Sequence, residues 1–316
     1  MRTRVAVIGG GQNCEHDVSL ASAAAIARAL DPSYDVLALT IGRDGTWSDG
    51  DRDLDLATAV DLLRTCAVAV PALHGPRGED GTVAALCDLA GVPYVGSGVA
   101  AGALAMDKWA TKLVAREIGI GVAPGVLLTA ATAPAYTWRR SVVVKPVAAG
   151  SSHGVTLVRE PWHLARALDE ALSLDDRVLV EEPVVGREVD VAVLGRPDGT
   201  RVVAPVLEVV VDGIFDFGTK YGGAADFRIP AQLPEAVRQD LEVAAIAMYD
   251  ALGCAGVARV DFFVTDDGLV LNEVNTMPGF TEQSQVPKMF AAAGTSYADL
   301  LDLLVRDALS GAVVAA

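Results

Sequence analysis

The chain has 316 residues, a length typical of about two domains of ordinary size. Asp and Glu number 41 against 25 Lys and Arg, and the formal net charge of −16 argues against a protein that binds nucleic acid through a basic face. A hydrophobic fraction of 52% with 21% charged residues argues against a disordered chain.

Cysteine usage and the apolar segments suggest a compartment. The cysteines are Cys14, Cys66, Cys87 and Cys254. They include no CxxC pair, which favours reduced thiols. The N-terminus, MRTRVAVIGGGQ, predicts a strand and not a signal peptide. The uncharged stretch 118–138 contains two prolines and three glycines, which indicates a strand and a loop and not a membrane helix. We expect a soluble, cytoplasmic protein.

The first 106 residues alternate short apolar runs with helical patterns. Strands are predicted over 5–8, 36–39 and 67–73. Helices are predicted over 18–30, 54–63 and 79–90. Continuous apolar strands that alternate with helices indicate a parallel α/β sheet.

From residue 107 the predicted elements follow a mixed order, which indicates an α+β arrangement. Helices are predicted over 108–118, 161–172, 234–252 and 296–309. Strands are predicted over 141–144, 155–158, 177–180, 188–194, 257–264 and 269–274. The segment 216–221, which carries Lys220 and Tyr221 in a Gly-rich irregular stretch, is interpreted as a mobile lid.

A hairpin is predicted around residues 266–268, because Asp-Gly between two β-runs favours a tight turn. Residues two apart share a face of a strand. A turn centred near Asp267 therefore places Asp261 opposite Glu273 and Arg259 opposite Asn275. The same alternation puts Leu271 on the face of Glu273 and Asn272 on the otherwise apolar face.

The carboxylates of Asp261 and Glu273 and the amide oxygen of Asn275 are hard ligands that suit Mg²⁺, which also binds substrate phosphates. A cross-strand ion pair between Arg259 and Glu273 on a solvated face explains the pattern equally well. The Pro-Gly turn within 276–281 favours the metal, because its backbone N–H groups are free to face an anion.

A loop of small residues, 146–154, follows a β-run that ends in Lys145. Such a loop can cover phosphates with backbone N–H groups and the hydroxyls of Ser151 and Ser152, with Lys145 as a point charge. The GxxxxGK[ST] pattern is absent, and an ordinary surface loop is the alternative.

Two Gly-rich turns carry weaker patterns. Residues 9–11 lack the spacing of a dinucleotide site and favour a plain strand–helix turn. Glu15 follows near the end of the first strand, where ligands commonly bind, although it also suits a helix cap. In the turn 74–81, Glu79 and Asp80 are interpreted as helix N-terminal acids.

Nearly the whole chain, from Val5 to about Leu309, resembles the D-alanine–D-alanine ligase family of the ATP-grasp superfamily. The matching motifs are EHDVSL (15–20), HGPRGEDGT (74–82), GVPYVGSG (91–98), MDKWATK (106–112), VVKPVAAGSSHGV (143–155), GREVDVAVLG (186–195), TKY (219–221), ARVDFF (258–263) and NEVNTMPGFTEQS (272–284). No single motif is decisive, but so many motifs in the same order make a chance similarity very improbable.

The resemblance implies an α/β pre-ATP-grasp domain over 1–106 and an ATP-grasp fold of two subdomains over 107–195 and 196–316. It implies that ATP phosphorylates the carboxylate of one D-alanine and that the amine of a second D-alanine attacks the acyl phosphate. The product would serve peptidoglycan precursor synthesis. The implied cofactors are ATP and two Mg²⁺ ions, with Mn²⁺ as an alternative, and the implied assembly is a homodimer with no membrane or nucleic-acid partner.

Site residues are carried over from the resemblance by position. For ATP they are Lys108, Lys145, Ser152, Glu181, Glu182, Val184 and Glu188. For the metal ions they are Asp261, Glu273 and Asn275. For the two amino acids they are Glu15, Val18, His74, Ser284 and Gln285. For catalysis they are Arg259 and the Gly279 N–H at the oxyanion, Lys220 at the transferred phosphate, and Ser151, Tyr221 and Glu15 in a hydrogen-bonded link.

Three departures from the family pattern stand out. Ala84-Ala85 replaces Gln-Gly, and Phe215 and Phe217 replace two lid tyrosines. Gln285 replaces Leu or Met beside the expected second-substrate pocket, which suggests a different second substrate such as D-serine or D-lactate. The alternative to a cell-wall ligase is therefore a ligase for resistance or secondary metabolism. A nucleotide-binding protein without catalysis is disfavoured by the complete set of charged site residues.

Overall fold

The computed structural model describes residues 2–210 and 226–314. The N-terminal sheet is built from β1 (Arg4–Gly10), β2 (Asp35–Ile41), β3 (Trp47–Ser48), β4 (Asp53–Leu54) and β5 (Val68–Pro71). Its order is β4-β3-β2-β1-β5, with β1 parallel to β2 and β5 and with β3 and β4 antiparallel. The predicted parallel α/β arrangement is confirmed.

The helices of this part are α1 (His16–Leu30), α2 (Leu56–Arg64), α3 (Thr82–Ala90) and α4 (Val99–Met106). The first three follow the predicted helices, but α4 was not predicted. Its sequence, VAAGALAM, has no polar face and so lacks the amphipathic period of a surface helix. Gly102 lets α4 approach the backbone of 79–81, where a Cβ atom would overlap the carbonyl oxygen of Glu79.

A second, antiparallel sheet follows. Its strands are β7 (Gly125–Thr129), β8 (Val142–Pro146), β9 (Thr156–Val158) and β10 (Arg177–Glu181). They lie in the order β7-β10-β8-β9. One helix, α6 (Leu164–Leu172), buries Ala167, Leu168 and Ala171 in the same core as Val144 and Val178. Strand β8 thus delivers Lys145 near its C-terminal end to the loop 147–154.

The third sheet is the largest. Its strands are β6 (Gly121–Val122), β11 (Arg187–Gly195), β12 (Arg201–Val203), β13 (Leu207–Val210), β14 (Asp226–Arg228), β15 (Gly256–Thr265) and β16 (Gly268–Asn275). The order is β14-β13-β11-β15-β16-β6, with β12 on β11. The α+β arrangement predicted after residue 107 is confirmed, while the boundary between 195 and 196 stays a prediction.

Four more α-helices lie in the described ranges. They are α5 (Lys108–Glu117), α7 (Glu235–Leu252), α8 (Gln285–Ala292) and α9 (Tyr297–Val314). Helix α8 was not predicted, because it is short and contains Pro287. No helix in the described ranges is both long and apolar enough to span a bilayer.

The hairpin of β15 and β16 confirms the predicted pairing: Asp261 faces Glu273 and Arg259 faces Asn275. The expectation for Leu271 was wrong. The register shifts between Asp261 and Phe262, so that Phe262 pairs with Leu271 and Asn272 becomes the extra residue of a bulge. The bulge reverses the alternation, and Leu271 is fully buried in the core with Phe262.

The N-terminal sheet and the last helix share one apolar core. Val5, Val7 and Val70 pack in a cluster with Leu301 and Val305 of α9. The hydroxyl of Tyr34 also donates to Asp302 Oδ1 at 2.6 Å. Residues almost 300 positions apart in sequence therefore complete the same core.

Candidate active site

Two adjoining cavities lie between the sheets. The first, of about 690 Å³, is enclosed by the second sheet, the third sheet and α5. The second, of about 520 Å³, is enclosed by α1, the turn 74–79 and the segment 274–285. Five residues line both: Lys108, Ala149, Arg259, Glu273 and Gln285. A molecule in one cavity would therefore meet a molecule in the other at these side chains.

The first cavity is lined by all seven residues predicted to bind ATP. They are Lys108, Lys145, Ser152, Glu181, Glu182, Val184 and Glu188. Glu181 is 4% exposed, and its two oxygens lie 2.8 Å from Lys112 Nζ and 2.7 Å from Lys145 Nζ. Lys112 was missed from the sequence. The only available signal was its position four residues after Lys108 on one helix, which is equally typical of a solvated surface.

Arg259 is the centre of a buried charged cluster at the junction. Its Nε and Nη2 donate to the two oxygens of Asp261, both at 2.7 Å, and Nε lies 3.6 Å from Asp190 Oδ2. Burial alone would lower the pKa of Arg259, but the Asp261 and Asp190 carboxylates raise it well above its usual range. Nη1 donates to Gln285 Oε1 at 2.6 Å. The guanidinium is thus fixed in one orientation.

The predicted metal ligands lie on this hairpin. Asn275 Nδ2 donates to Asp261 Oδ2 at 3.0 Å, so the amide oxygen of Asn275 faces away from that carboxylate. Glu273 Oε2 lies 3.2 Å from Lys108 Nζ. No cluster of three or more Asp, Glu, His or Cys side chains within the described ranges could hold a metal by itself. Two carboxylates and an amide oxygen nevertheless fit Mg²⁺, which takes few protein ligands beside substrate phosphates.

The small-residue loop 147–154 reaches across to α1. Ser151 Oγ donates to Glu15 Oε1, and the loop backbone approaches so closely that a Cβ atom on Gly150 would overlap the Glu15 carboxylate. Lys108 Nζ donates to the Ala149 carbonyl at 2.7 Å. Glu15 is 5% exposed, and its Oε2 accepts no hydrogen bond from the described residues. A buried carboxylate oxygen in this state suits a cationic ligand.

His74, predicted near the first amino acid, binds protein groups through both ring nitrogens. Nδ1 lies 2.8 Å from the Met277 carbonyl, and Nε2 lies 2.8 Å from Ser22 Oγ. Because a carbonyl only accepts, Nδ1 carries a proton toward Met277, and Nε2 shares the second hydrogen bond with the Ser22 hydroxyl. Ser22 Oγ in turn accepts from Phe280 N–H at 3.2 Å. His74 therefore positions the segment 277–280.

Glu79 was interpreted as a helix N-terminal acid, but it holds the same segment. Its Oε1 accepts from Met277 N–H at 3.0 Å and its Oε2 from Gly75 N–H at 2.8 Å. Burial and the Glu15 carboxylate raise the pKa of Glu79 to about 7. Both backbone groups of Met277 are thus bound by side chains of the turn 74–79.

We expect the Ser22→Ala substitution to lower the free energy of unfolding by about 1–3 kcal/mol, because His74 Nε2 and Phe280 N–H would lose a buried partner. Urea unfolding followed by circular dichroism measures the change. The exposed Ser33→Ala, at the end of α1, is the matched control. Equal unfolding free energies for the two variants would contradict the bridging role.

The predicted second-substrate residues lie at the start of α8. Ser284 Oγ accepts from Thr281 N–H at 3.0 Å and lines the second cavity. Gln285 is 7% exposed, and its amide oxygen accepts a hydrogen bond from Arg259. Because a guanidinium has no acceptor, this contact fixes the orientation of the amide. Its Nε2 is buried and finds no acceptor within the described part of the chain.

The remaining predicted residues are placed as follows. Val18 and Gly279 line the second cavity with Glu15, His74, Ser151 and Asn275. Lys220, Tyr221, Phe215 and Phe217 lie outside the described residues. Ala84 is buried in α3, away from the lining of both cavities. The structure therefore gathers the described candidates around the two cavities, and their individual roles stay predictions.

Solved structures of similar shape define the class. The chain matches the VanG D-Ala:D-Ser ligase from Enterococcus faecalis with a TM-score of 0.84 and 32% identity, over 98% of this chain and 100% of that one. It matches a D-alanine–D-alanine ligase from Bacillus anthracis complexed with ATP with a TM-score of 0.81 and 27% identity, over 99% and 100% of the two chains. The fold is that of an ATP-grasp ligase.

Sequence comparisons give the family. The family model for the D-ala D-ala ligase C-terminus matches residues 133–306, and the N-terminus model matches 4–61 and 52–97. A D-alanine–D-alanine ligase of Corynebacterium aurimucosum is 42% identical over 97% of this chain and 98% of its own. One from Mycolicibacterium smegmatis is 39% identical over 98% and 96%. The chain belongs to the D-alanine–D-alanine ligase family.

Proposed function

We propose that this ligase joins two D-alanine molecules with hydrolysis of ATP to ADP and phosphate. The carboxylate of the first D-alanine attacks the terminal phosphorus, ADP leaves, and an acyl phosphate forms. The amine of the second D-alanine then attacks the acyl carbon, and phosphate leaves with formation of the peptide bond. The observation that carries this proposal is the pair of cavities that meet at Lys108, Arg259 and Glu273.

Glu15 and Ser151 would bind the first amino acid. Glu15 Oε2 is a buried anionic oxygen that lines the second cavity, and an ammonium group supplies the donor it lacks. Ser151 orients that carboxylate and ties it to the loop 147–154. The reacting carboxylate would then face the junction, which favours attack on a phosphate held in the first cavity.

Arg259 and the Gly279 N–H would stabilise the charge that develops at the acyl carbon. Arg259 is held by Asp261, so little reorganisation is needed when the charge appears. Ser284, on the other side of the second cavity, would accept the carboxylate of the second D-alanine. Lys220 and Tyr221 would act from the segment that lies outside the described residues.

Asp261, Glu273 and Asn275 would hold two Mg²⁺ ions, with Mn²⁺ as an alternative. Bound there, the ions would offset the negative charge of the phosphates. Lys108 and Lys145 supply further positive charge, and Glu181, Glu182, Val184 and Glu188 surround the space for adenine and ribose. We also propose that the protein is a cytoplasmic homodimer, divided into 1–106, 107–195 and 196–316, whose product serves peptidoglycan synthesis.

The test is an assay with ATP, Mg²⁺ and D-alanine alone, in which phosphate release is followed and the product is identified by mass spectrometry. We expect D-alanyl-D-alanine and one phosphate for each peptide bond. Reactions without Mg²⁺ or with L-alanine are the controls. Phosphate release that needs another amino or hydroxy acid would contradict D-alanine as the second substrate.

A second candidate is a ligase whose second substrate is D-serine. It is favoured by Gln285, whose Nε2 is a buried donor in the wall of the second cavity and finds no acceptor among the described residues. A hydroxyl oxygen on the second substrate could accept from it, whereas a methyl group could not. The similar VanG structure from Enterococcus faecalis is itself described as a D-Ala:D-Ser ligase.

We expect Gln285→Leu to lower the preference for D-serine over D-alanine about tenfold, the usual effect of losing one buried hydrogen bond. The preference is the ratio of kcat/KM for the two second substrates, with D-alanine as the first. The exposed Gln239→Leu, on α7, is the control. An unchanged ratio in Gln285→Leu would remove Gln285 from the specificity determinants.

A further inference from the structure

Glu181 in the first cavity is paired with two buried lysines at once. Lys112 Nζ lies 2.8 Å from Oε1, and Lys145 Nζ lies 2.7 Å from Oε2. The exposed fraction of the side chain is 2% for Lys112, 8% for Lys145 and 5% for Glu181. Two ammonium groups on one carboxylate leave the cluster with an excess of positive charge inside the cavity that would receive ATP.

The two lysines are held in different ways. Lys112 lies on α5, and its Nζ also donates to the Leu271 carbonyl at 3.4 Å. Its ammonium group is therefore covered by β16. Lys145 lies at the end of β8, where the loop 147–154 begins, and its other contact is Asn272 Oδ1 at 3.4 Å. Lys145 is therefore next to the loop suited to phosphates, whereas Lys112 is enclosed.

We propose that Lys112 is a positioning residue for Glu181: it stays paired with that carboxylate when Lys145 turns to a phosphate of ATP. Glu181, held by Lys112, is then the acceptor for the exocyclic amine of adenine. The inference rests on the proposed use of ATP. Lys112 would keep Glu181 in place to bind adenine while Lys145 moves from Glu181 to a phosphate.

Electrostatics supports this division. A buried carboxylate without a cation would take up a proton and lose acceptor strength. Burial alone would raise the pKa of Glu181, but Lys145 and Lys112 lower it. Burial and repulsion from Lys145 lower the pKa of Lys112 to about 8, so departure of Lys145 strengthens the charged form of Lys112. Glu181 Oε1 has a second lone pair besides the one that faces Lys112 Nζ, and it can accept from an amine as well.

The experiment compares ATP with inosine triphosphate, which carries a carbonyl oxygen where adenine carries its amine. We expect Lys112→Met to raise the KM for ATP about tenfold and to reduce the preference for ATP over inosine triphosphate by a similar factor. The kcat at saturating ATP should stay near that of the wild type. Lys145→Met should instead weaken both nucleotides equally, because a phosphate contact does not distinguish the bases.

Two further variants keep the test decisive. Lys112→Gln retains a hydrogen-bond donor without the charge, and circular dichroism checks that each variant folds. Lys288→Met, outside the first cavity, is the control for loss of a lysine. An unchanged KM and unchanged preference in both Lys112 variants would overturn the inference, as would an equal loss for both nucleotides. A wild-type protein with no ATP turnover would instead contradict the proposed function.

Discussion

Glu273→Gln should reduce turnover on the order of a thousandfold while the fold survives. The substitution keeps the size of the side chain but removes one of the two carboxylates proposed to hold Mg²⁺, and loss of metal-assisted charge neutralisation costs several kcal/mol of barrier. Glu273 is partly exposed, at 25%, and in the variant Lys108 keeps its hydrogen bond to the Ala149 carbonyl. Steady-state phosphate release measures turnover, and circular dichroism measures the fold.

The same hairpin offers a matched control for this change. Asp267→Asn alters an exposed carboxylate at the turn, away from both cavities, and should leave turnover unchanged. A magnesium titration adds a second readout, because Glu273→Gln should need far more Mg²⁺ to reach its residual rate. A fully active Glu273→Gln variant would refute the proposed metal ligation by the hairpin.

Arg259→Lys should lower kcat by about a hundredfold to a thousandfold, the range seen when one oriented donor to a developing oxyanion is removed. Lysine keeps the positive charge but cannot bind both oxygens of Asp261 and the amide of Gln285 with a planar fork. The position of the charge would therefore become loose, although the charge itself remains. The KM values should change less than kcat, because the contact strengthens in the transition state.

Stability must be measured beside the kinetics, since Arg259 is 5% exposed and pairs with buried carboxylates. We expect Arg259→Lys to lower the free energy of unfolding by about 1–3 kcal/mol in urea. Arg238→Lys changes a half-exposed arginine on α7 that pairs with Glu235 and Glu242, and it controls for the substitution itself. A kcat equal to that of the wild type would rule out Arg259 as an oxyanion donor.

The hairpin of β15 and β16 shows which features the sequence pattern can predict. Its turn and the pairing of Asp261 with Glu273 follow from an Asp-Gly signal and a period of two. The bulge at Asn272 could not be predicted, because an extra residue in a strand leaves no side-chain signature. The bulge lies between the turn and the paired site residues, and its extra residue supplies the offset by which Asp261 faces Glu273. The predicted face therefore failed for Leu271, which lies on the turn side of the bulge.

Buried charges were the other source of error. Lys112 has the spacing of an ordinary amphipathic helix, and only the fold brings it to Glu181, on a strand almost seventy residues further along. Glu79 has the position of a helix N-terminal acid, and only tertiary packing brings it to Met277. Roles for Glu181, Glu188 and Ser284 came from family resemblance, because nothing in their local sequence indicates a ligand.

The shared core of the N-terminal sheet and α9 has a consequence for protein synthesis. Val5 and Val7 leave the ribosome early, but Leu301 and Val305 cover them only after almost the whole chain has been translated. At about 5–20 residues per second, that delay is roughly 15–60 s. During this time the part of the cluster that α9 covers stays exposed, while Ile26 and Leu30 of α1 already pack beside Val5 and Val7. A nascent chain that stops before Leu301 therefore lacks the side chains of α9 that complete this core.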